Sequence, residues 1–146
     1  HHGYQFIAAN CGAGHFSVAR VSFDINFDDI FGSITVYDSN RRSSRKNVKP
    51  KPDEVVGKLL LELQKFLCNY CFFGTRGQEI LKSRPNLALD KATFATCPQQ
   101  QNGYDCGLFS LGALLHLVVG FVDLQDAFSA ANVTSLRRDL YRRLTS

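Results

Sequence analysis

The segment Cys97–Gly107, CPQQQNGYDCG, places a cysteine, Cys106, directly after an aspartate at the point where a long apolar stretch begins. That position reads as the first turn of a helix. A thiol attacks as its thiolate, and the unpaired N–H groups of a helix N-terminus stabilise that anion. Asn102-Gly103 forms a tight turn just ahead. Gly107 allows close backbone approach, as an oxyanion hole built partly from the Cys106 amide would require. The chemistry on offer is nucleophilic attack on a carbonyl carbon. The competing reading is a core thiol, because cysteine is among the residue types most often buried.

A thiol nucleophile needs a base within hydrogen-bond reach and a group that fixes that base. The chain has four histidines. His1 and His2 stand at the first two positions, and His116 lies about 15 Å along the expected helix from Cys106. His15 remains, after a glycine-containing turn and at the start of a strand-like run. Asp38, at the end of the next such run, is the candidate partner, since strand ends and adjoining loops are where a scaffold presents reactive groups. Taken singly, His15 also reads as an ordinary strand histidine and Asp38 as a turn-capping aspartate.

Secondary-structure patterning supplies the elements that would position these residues. Tyr4–Ala9 and His15–Phe23 read as strands flanking a turn at 10–14, and Ser33–Tyr37 as a third, β-branched strand ending at Asp38-Ser39-Asn40. The second and third should pair as an antiparallel hairpin across the loop 24–32. A helix is expected from about Pro52 to Phe73, with Asp53 and Glu54 in its first turn, apolar residues from Val56 to Tyr70 at helical spacing and Gly74 as a stop. Lys91–Thr96 suits a short strand. From Asp105 onward the chain is apolar nearly all round, which predicts a central, buried helix, with Gly112 marking close packing. Asn132 or Thr134 would cap a last basic amphipathic helix ending near Leu144.

Composition excludes several classes. The 146 residues suffice for one domain, and 45% hydrophobic content with 21% charged residues is that of a globular chain. No apolar run approaches the roughly 18 residues of a membrane span, and no signal-peptide pattern opens the chain. Five cysteines, without the spacing of a disulfide framework, suit free thiols in a reducing compartment. Cys68 and Cys71 form a C-x-x-C, but no second pair stands at zinc-site spacing, so both read as core-facing thiols on a helix. The net charge of +4 owes much to the basic run Arg41–Lys51, read as a solvated loop, and to arginines on the exposed face of the last helix. Neither establishes nucleic-acid binding.

Three segments, GHFSVA at 14–19, VYDS at 36–39 and PQQQNGYDCG at 98–107, resemble the signature of the ubiquitin-like-protein-specific proteases, which mature and remove SUMO and related modifiers. The order His, Asp, Gln, Cys is the same, and the resemblance runs from about Phe6 to Leu144. It implies His15 as general base and acid, Asp38 as its orienting partner, Cys106 as nucleophile and Gln100 as the side-chain donor of the oxyanion hole. Gln99 and Gln101 are then neighbours without a direct role. It also implies an α+β fold of the papain-like or adenain-like kind, a small mixed or antiparallel sheet packed by helices, with the nucleophile opening a central buried helix.

The expected activity is cleavage after the C-terminal glycine of SUMO or a related modifier, with the modifier and its conjugates as partners and no cofactor or metal. The expected setting is intracellular, with the nucleus favoured. Two departures stand out. Phe16 occupies the place of the family's usual tryptophan. The family's additional N-terminal portion has no counterpart, so residues 1–146 read as a single, N-terminally truncated catalytic domain. A module that binds a modifier without cleaving it is the alternative. A viral-type endoprotease or effector acyltransferase of the same clan is the third, and Asp38 argues against the acyltransferase, where glutamate is usual.

Overall fold

Alternation of side chains along two β-branched runs decides the architecture, because each run has apolar residues for both faces of a sheet. The computed structural model describes residues 4–10, 14–23, 30–41, 48–71, 75–121, 123–125 and 127–146, apart from the side chains of 4, 6, 8–10 and 71. Strands β1 (Tyr4–Asn10), β2 (Phe16–Phe23), β3 (Phe31–Tyr37) and β4 (Ala92–Phe94) form one sheet in the order β1-β2-β3-β4. The first three pair antiparallel, and β2 and β3 make the expected hairpin, with Val18 opposite Tyr37 and Val21 opposite Ile34. β4 joins parallel to β3, Ile34 opposite Ala92 and Val36 opposite Phe94, so the sheet is mixed.

On β2, Val21 and Val18 point to opposite faces and anchor two different cores. Val21, Ile34 and Val36 pack with Val56, Leu60, Leu87 and Phe94. Val56 and Leu60 belong to α1 (Val55–Phe66), which runs on through one π-helical turn at Leu67–Cys71. The helix starts three residues later than its sequence suggests: Glu54 sits at the N-cap position in extended conformation, ahead of the first turn rather than in it. Cys68 is buried in this core, as expected. Two short helices, α2 (Thr75–Ser83) and α3 (Leu87–Lys91), fill the approach to β4. Neither is visible in the apolar period, since nine and five residues hold too few turns to show one.

A buried amide fastens this region. Gln64, 1% exposed, donates through Nε2 to the Arg84 carbonyl at 2.8 Å and accepts at Oε1 from the Ala88 N–H at 2.7 Å. Leucine at this position would match the size but take the partner from the buried Ala88 N–H and leave the Arg84 carbonyl with only the Leu87 N–H, at 3.2 Å. Gln64→Leu should therefore lower stability by about 2 kcal/mol, read as a fall in Tm of roughly 5–10 °C in thermal unfolding.

Val18 and Tyr37 face the other side, against Cys97, Ala113, Leu117 and Leu124. Here lies α4 (Cys106–Val118), beginning at Cys106 as the sequence predicts. It is not buried all round: Leu115 and Val118 are 54% and 63% exposed, because the sheet and α5 cover only part of its circumference. Gly112 does mark close packing, as a Cβ there would stand 3.2 Å from the Phe128 ring. The last helix, α5 (Ala130–Thr145), is capped by Ser129, whose Oγ accepts from the Asn132 N–H, while Asn132 supplies the return bond of a capping box. The expected cap at Asn132 or Thr134 is thus corrected by one turn. Among the described residues no helix is long and apolar enough to cross a membrane. The turn at 11–13, the loop 24–29, the basic run 42–47, Gly74 and the Cys71 side chain lie outside the described residues.

Candidate active site

Antiparallel pairing of Val18 with Tyr37 brings the start of β2 beside the end of β3, and with them His15 and Asp38. His15 Nε2 lies 2.8 Å from Asp38 Oδ1. Both side chains are largely shielded, at 17% and 10% exposure, so the bond is formed where water competes weakly. Asp38 is held in turn, its Oδ1 accepting from the Asn40 N–H at 3.0 Å. With Nε2 facing the carboxylate, Nδ1 is the ring nitrogen left for proton transfer.

Cys106 opens α4 and is buried, and its Sγ donates to the Gly14 carbonyl at 3.5 Å. Gly14 is joined directly to His15 and has φ of +72°, a left-handed conformation that a side chain would resist. The structure thus brings the thiol to the residue that carries the imidazole into place. Phe16 lies against the same helix start: its Cδ2 is 3.9 Å from where a Cβ on Gly107 would stand. Among the described residues, a methyl group at Gly107 would meet only this ordinary contact.

Gln100 sits between the two halves of the site. Its Oε1 accepts from Ser39 Oγ at 2.7 Å, its Nε2 donates to the Asn102 carbonyl at 2.6 Å, and its backbone N–H donates to the Ser39 carbonyl at 2.7 Å. Gln99, read from sequence as a mere neighbour, is a fastening in its own right. Its Nε2 donates to the Asp38 and Cys97 carbonyls at 2.9 and 3.1 Å, and its Oε1 accepts from the Arg41 N–H at 2.7 Å. Cys97 also donates to the Asp38 carbonyl, at 3.4 Å. Burial, with the Asp38 charge adding to it, pushes the Cys97 thiol up to about 12, so it stays protonated at neutral pH.

The turn before Cys106 is an Asx turn. Asn102 Oδ1 accepts from the N–H groups of Tyr104 and Asp105 at 3.1 and 2.9 Å, while Asn102 Nδ2 donates to Asp105 Oδ2 at 2.7 Å. Asp105 is buried and paired with Arg137 of α5. Sequence reasoning passed over Ser39, Asn102 and Arg137 as partners. The first two are at least polar residues inside the motif, whereas nothing local links Arg137 to it. An open cleft lined by Asn40, Arg41, Gln99, Gln100, Gln101 and Asn102 adjoins this turn.

Comparison with known proteins agrees with the architecture. No curated relative matches the chain. A solved structure titled "SUMO protease Ulp1 with the catalytic cysteine oxidized to a sulfenic acid" is similar, with a TM-score of 0.51 and 22% identity over 91% of this chain and 48% of that one. This chain therefore spans about half the length of that relative, and the likeness is one of fold: the expected α+β, papain-like arrangement is borne out. Residues 4–145 match the family described as "Ulp1 protease family, C-terminal catalytic domain". With nearly its whole length matched, the chain belongs to the Ulp1 protease family and corresponds to that family's C-terminal catalytic domain.

Proposed function

We propose that this chain is a cysteine-type peptidase and isopeptidase that cleaves after the C-terminal glycine of SUMO or a related ubiquitin-like modifier. The observation that supports it best is the His15–Asp38 pair at 2.8 Å, next to a thiol at a helix N-terminus that bonds to the residue preceding His15. In this reading His15 takes the Cys106 proton and the thiolate attacks the glycine carbonyl. The oxyanion is met by the Cys106 N–H and by the Gln100 amide nitrogen, which has two hydrogens and gives one to Asn102. Collapse forms a thioester as His15 protonates the departing amine. A water molecule, deprotonated by His15, then attacks the thioester and releases the modifier as a carboxylate with the thiol restored. The modifier and its conjugates are the partners, in an intracellular and preferably nuclear setting.

A non-cleaving module that binds the modifier is the second reading, favoured by the burial of Cys106. Incubation with fluorogenic SUMO, NEDD8-type and ubiquitin C-terminal substrates, beside a modifier-derived electrophile, separates the two. Cleavage with covalent labelling of Cys106 supports the protease. Saturable modifier binding with neither signal would leave the second reading.

Thiol chemistry offers a simpler check. Iodoacetamide at pH 8, followed by peptide-level mass spectrometry, should modify Cys106 well ahead of Cys97. The Cys97 thiol, held near 12, is almost wholly protonated at that pH. Equal modification of both would contradict the proposed reactivity of Cys106.

A further inference from the structure

We propose that Arg137, on α5, is a positioning residue for the nucleophile: by pairing with Asp105 it holds the turn that carries Cys106 and neutralises the carboxylate beside the thiol. The inference rests on the reading of Cys106 as nucleophile. Asp105 occupies the N-cap position of α4, yet its side chain makes no capping bond to the helix. Its two oxygens are committed elsewhere, Oδ2 to Asn102 Nδ2 at 2.7 Å and Oδ1 to the Arg137 guanidinium. At 8% side-chain exposure the carboxylate depends on that cation, since a buried charge without a partner is strongly unfavourable. Arg137 also lies over the Tyr104 ring, 5.0 Å from its centroid, so it grips the turn on two sides.

The network continues to the proposed oxyanion donors. Asn102, held by Asp105, accepts at its backbone carbonyl from Gln100 Nε2 at 2.6 Å. One connected path therefore runs from α5 through Asp105 and Asn102 to the Gln100 amide, and Asp105 leads by a single peptide bond to the Cys106 N–H. The path also carries charge. Among the described residues, the titratable and charged groups of this region are His15 ahead of β2, paired with Asp38 after β3, Cys97 bonded behind Asp38, and Asp105 before α4, paired with Arg137. Without Arg137, the adjacent Asp105 carboxylate opposes thiolate formation.

The test compares the wild-type chain with Arg137→Gln, Arg137→Lys, Asp105→Asn and the Arg137→Gln/Asp105→Asn double variant. Arg138→Gln, on the exposed side of α5, serves as control. Cys106 alkylation by iodoacetamide is followed against pH at the peptide level, and labelling by a SUMO-derived electrophile is measured alongside. Arg137→Gln should move the alkylation inflection upward by about one pH unit and slow the neutral-pH rate about tenfold. Arg137→Lys should recover part of the loss. The double variant should bring the inflection back, because no unpaired carboxylate remains.

An unchanged inflection in Arg137→Gln, or a double variant with the inflection still raised, overturns the proposal. If Arg137→Gln does not fold, Asp105→Asn decides: its inflection should lie at or below the wild-type value, and a raised one overturns the idea. The two claims part cleanly. Wild-type protein that the electrophile fails to label, with the alkylation contrast intact, counts against the proposed function alone. Labelling without the contrast counts against Arg137 alone.

Discussion

Cys106→Ala should abolish cleavage of the modifier substrates and labelling by the electrophile, while His15→Ala should lower kcat/KM by about a thousandfold with the fold retained. In the proposed mechanism alanine at 106 removes the atom that forms the covalent intermediate, so no acylation would remain to be measured. The histidine effect follows from two jobs in one ring, deprotonating the thiol and protonating the departing amine, each step of general acid–base catalysis contributing about 10²–10⁴. Asp38→Asn should cost less than His15→Ala. An asparagine can present its carbonyl oxygen to His15 Nε2 and to the Asn40 N–H, which approach the present Oδ1 at 2.8 and 3.0 Å. What it lacks is the negative charge that stabilises the imidazolium. Steady-state kinetics on the best fluorogenic substrate, with circular dichroism to verify folding, checks all three; undiminished turnover in His15→Ala would remove it from the mechanism.

Gln100→Ala should reduce kcat by about a hundredfold and move KM much less. Loss of one preorganised oxyanion donor typically costs 10²–10³ in rate, because that interaction strengthens only as negative charge develops on the substrate oxygen. The geometry explains why the amide is preorganised. Ser39 Oγ and the Asn102 carbonyl hold its two ends at 2.7 and 2.6 Å, so the side chain has little freedom to lose on reaction. Gln100→Glu is the sharper companion. It can still accept from Ser39 but presents a carboxylate to the Asn102 carbonyl and to the oxyanion, and should be no more active than the alanine variant. A variant in which only KM rises would assign Gln100 to substrate binding instead.

What could be read from the chain depended on how locally each feature is encoded. The helix start at Cys106 lies within one eleven-residue segment and was legible outright. His15 and Asp38 needed one further step, the pairing of two β-branched runs, and the sequence carries that too. β4 was found because Ala92–Phe94 falls within the expected run, yet its parallel pairing with β3 is a tertiary fact that no local pattern records. Helices α2 and α3 escaped because they are too short to show a period. Asn132 attracted the cap assignment because it does take part in the cap, from the third helical position. Arg137 was read as part of an exposed face. Periodicity shows that a residue lies away from its own helix's apolar stripe; it cannot show that another element presents a buried carboxylate there.

The bond from Cys106 Sγ to the Gly14 carbonyl closes a loop of 92 residues, and the Ser39–Gln100 bond closes one of 61. Contacts so distant in sequence form late, since the entropy of closing the loop is lost before the contact returns anything. During synthesis the strands bearing His15 and Asp38 leave the ribosome long before the helix bearing Cys106, and Arg137 follows later still. A nascent or partly folded chain would therefore hold an imidazole–carboxylate pair with no thiol beside it, then a thiol with its neighbouring carboxylate unpaired. Under the roles proposed for Cys106 and Arg137, full competence would wait for the docking of α5, and the order of assembly would itself guard against premature thiol chemistry.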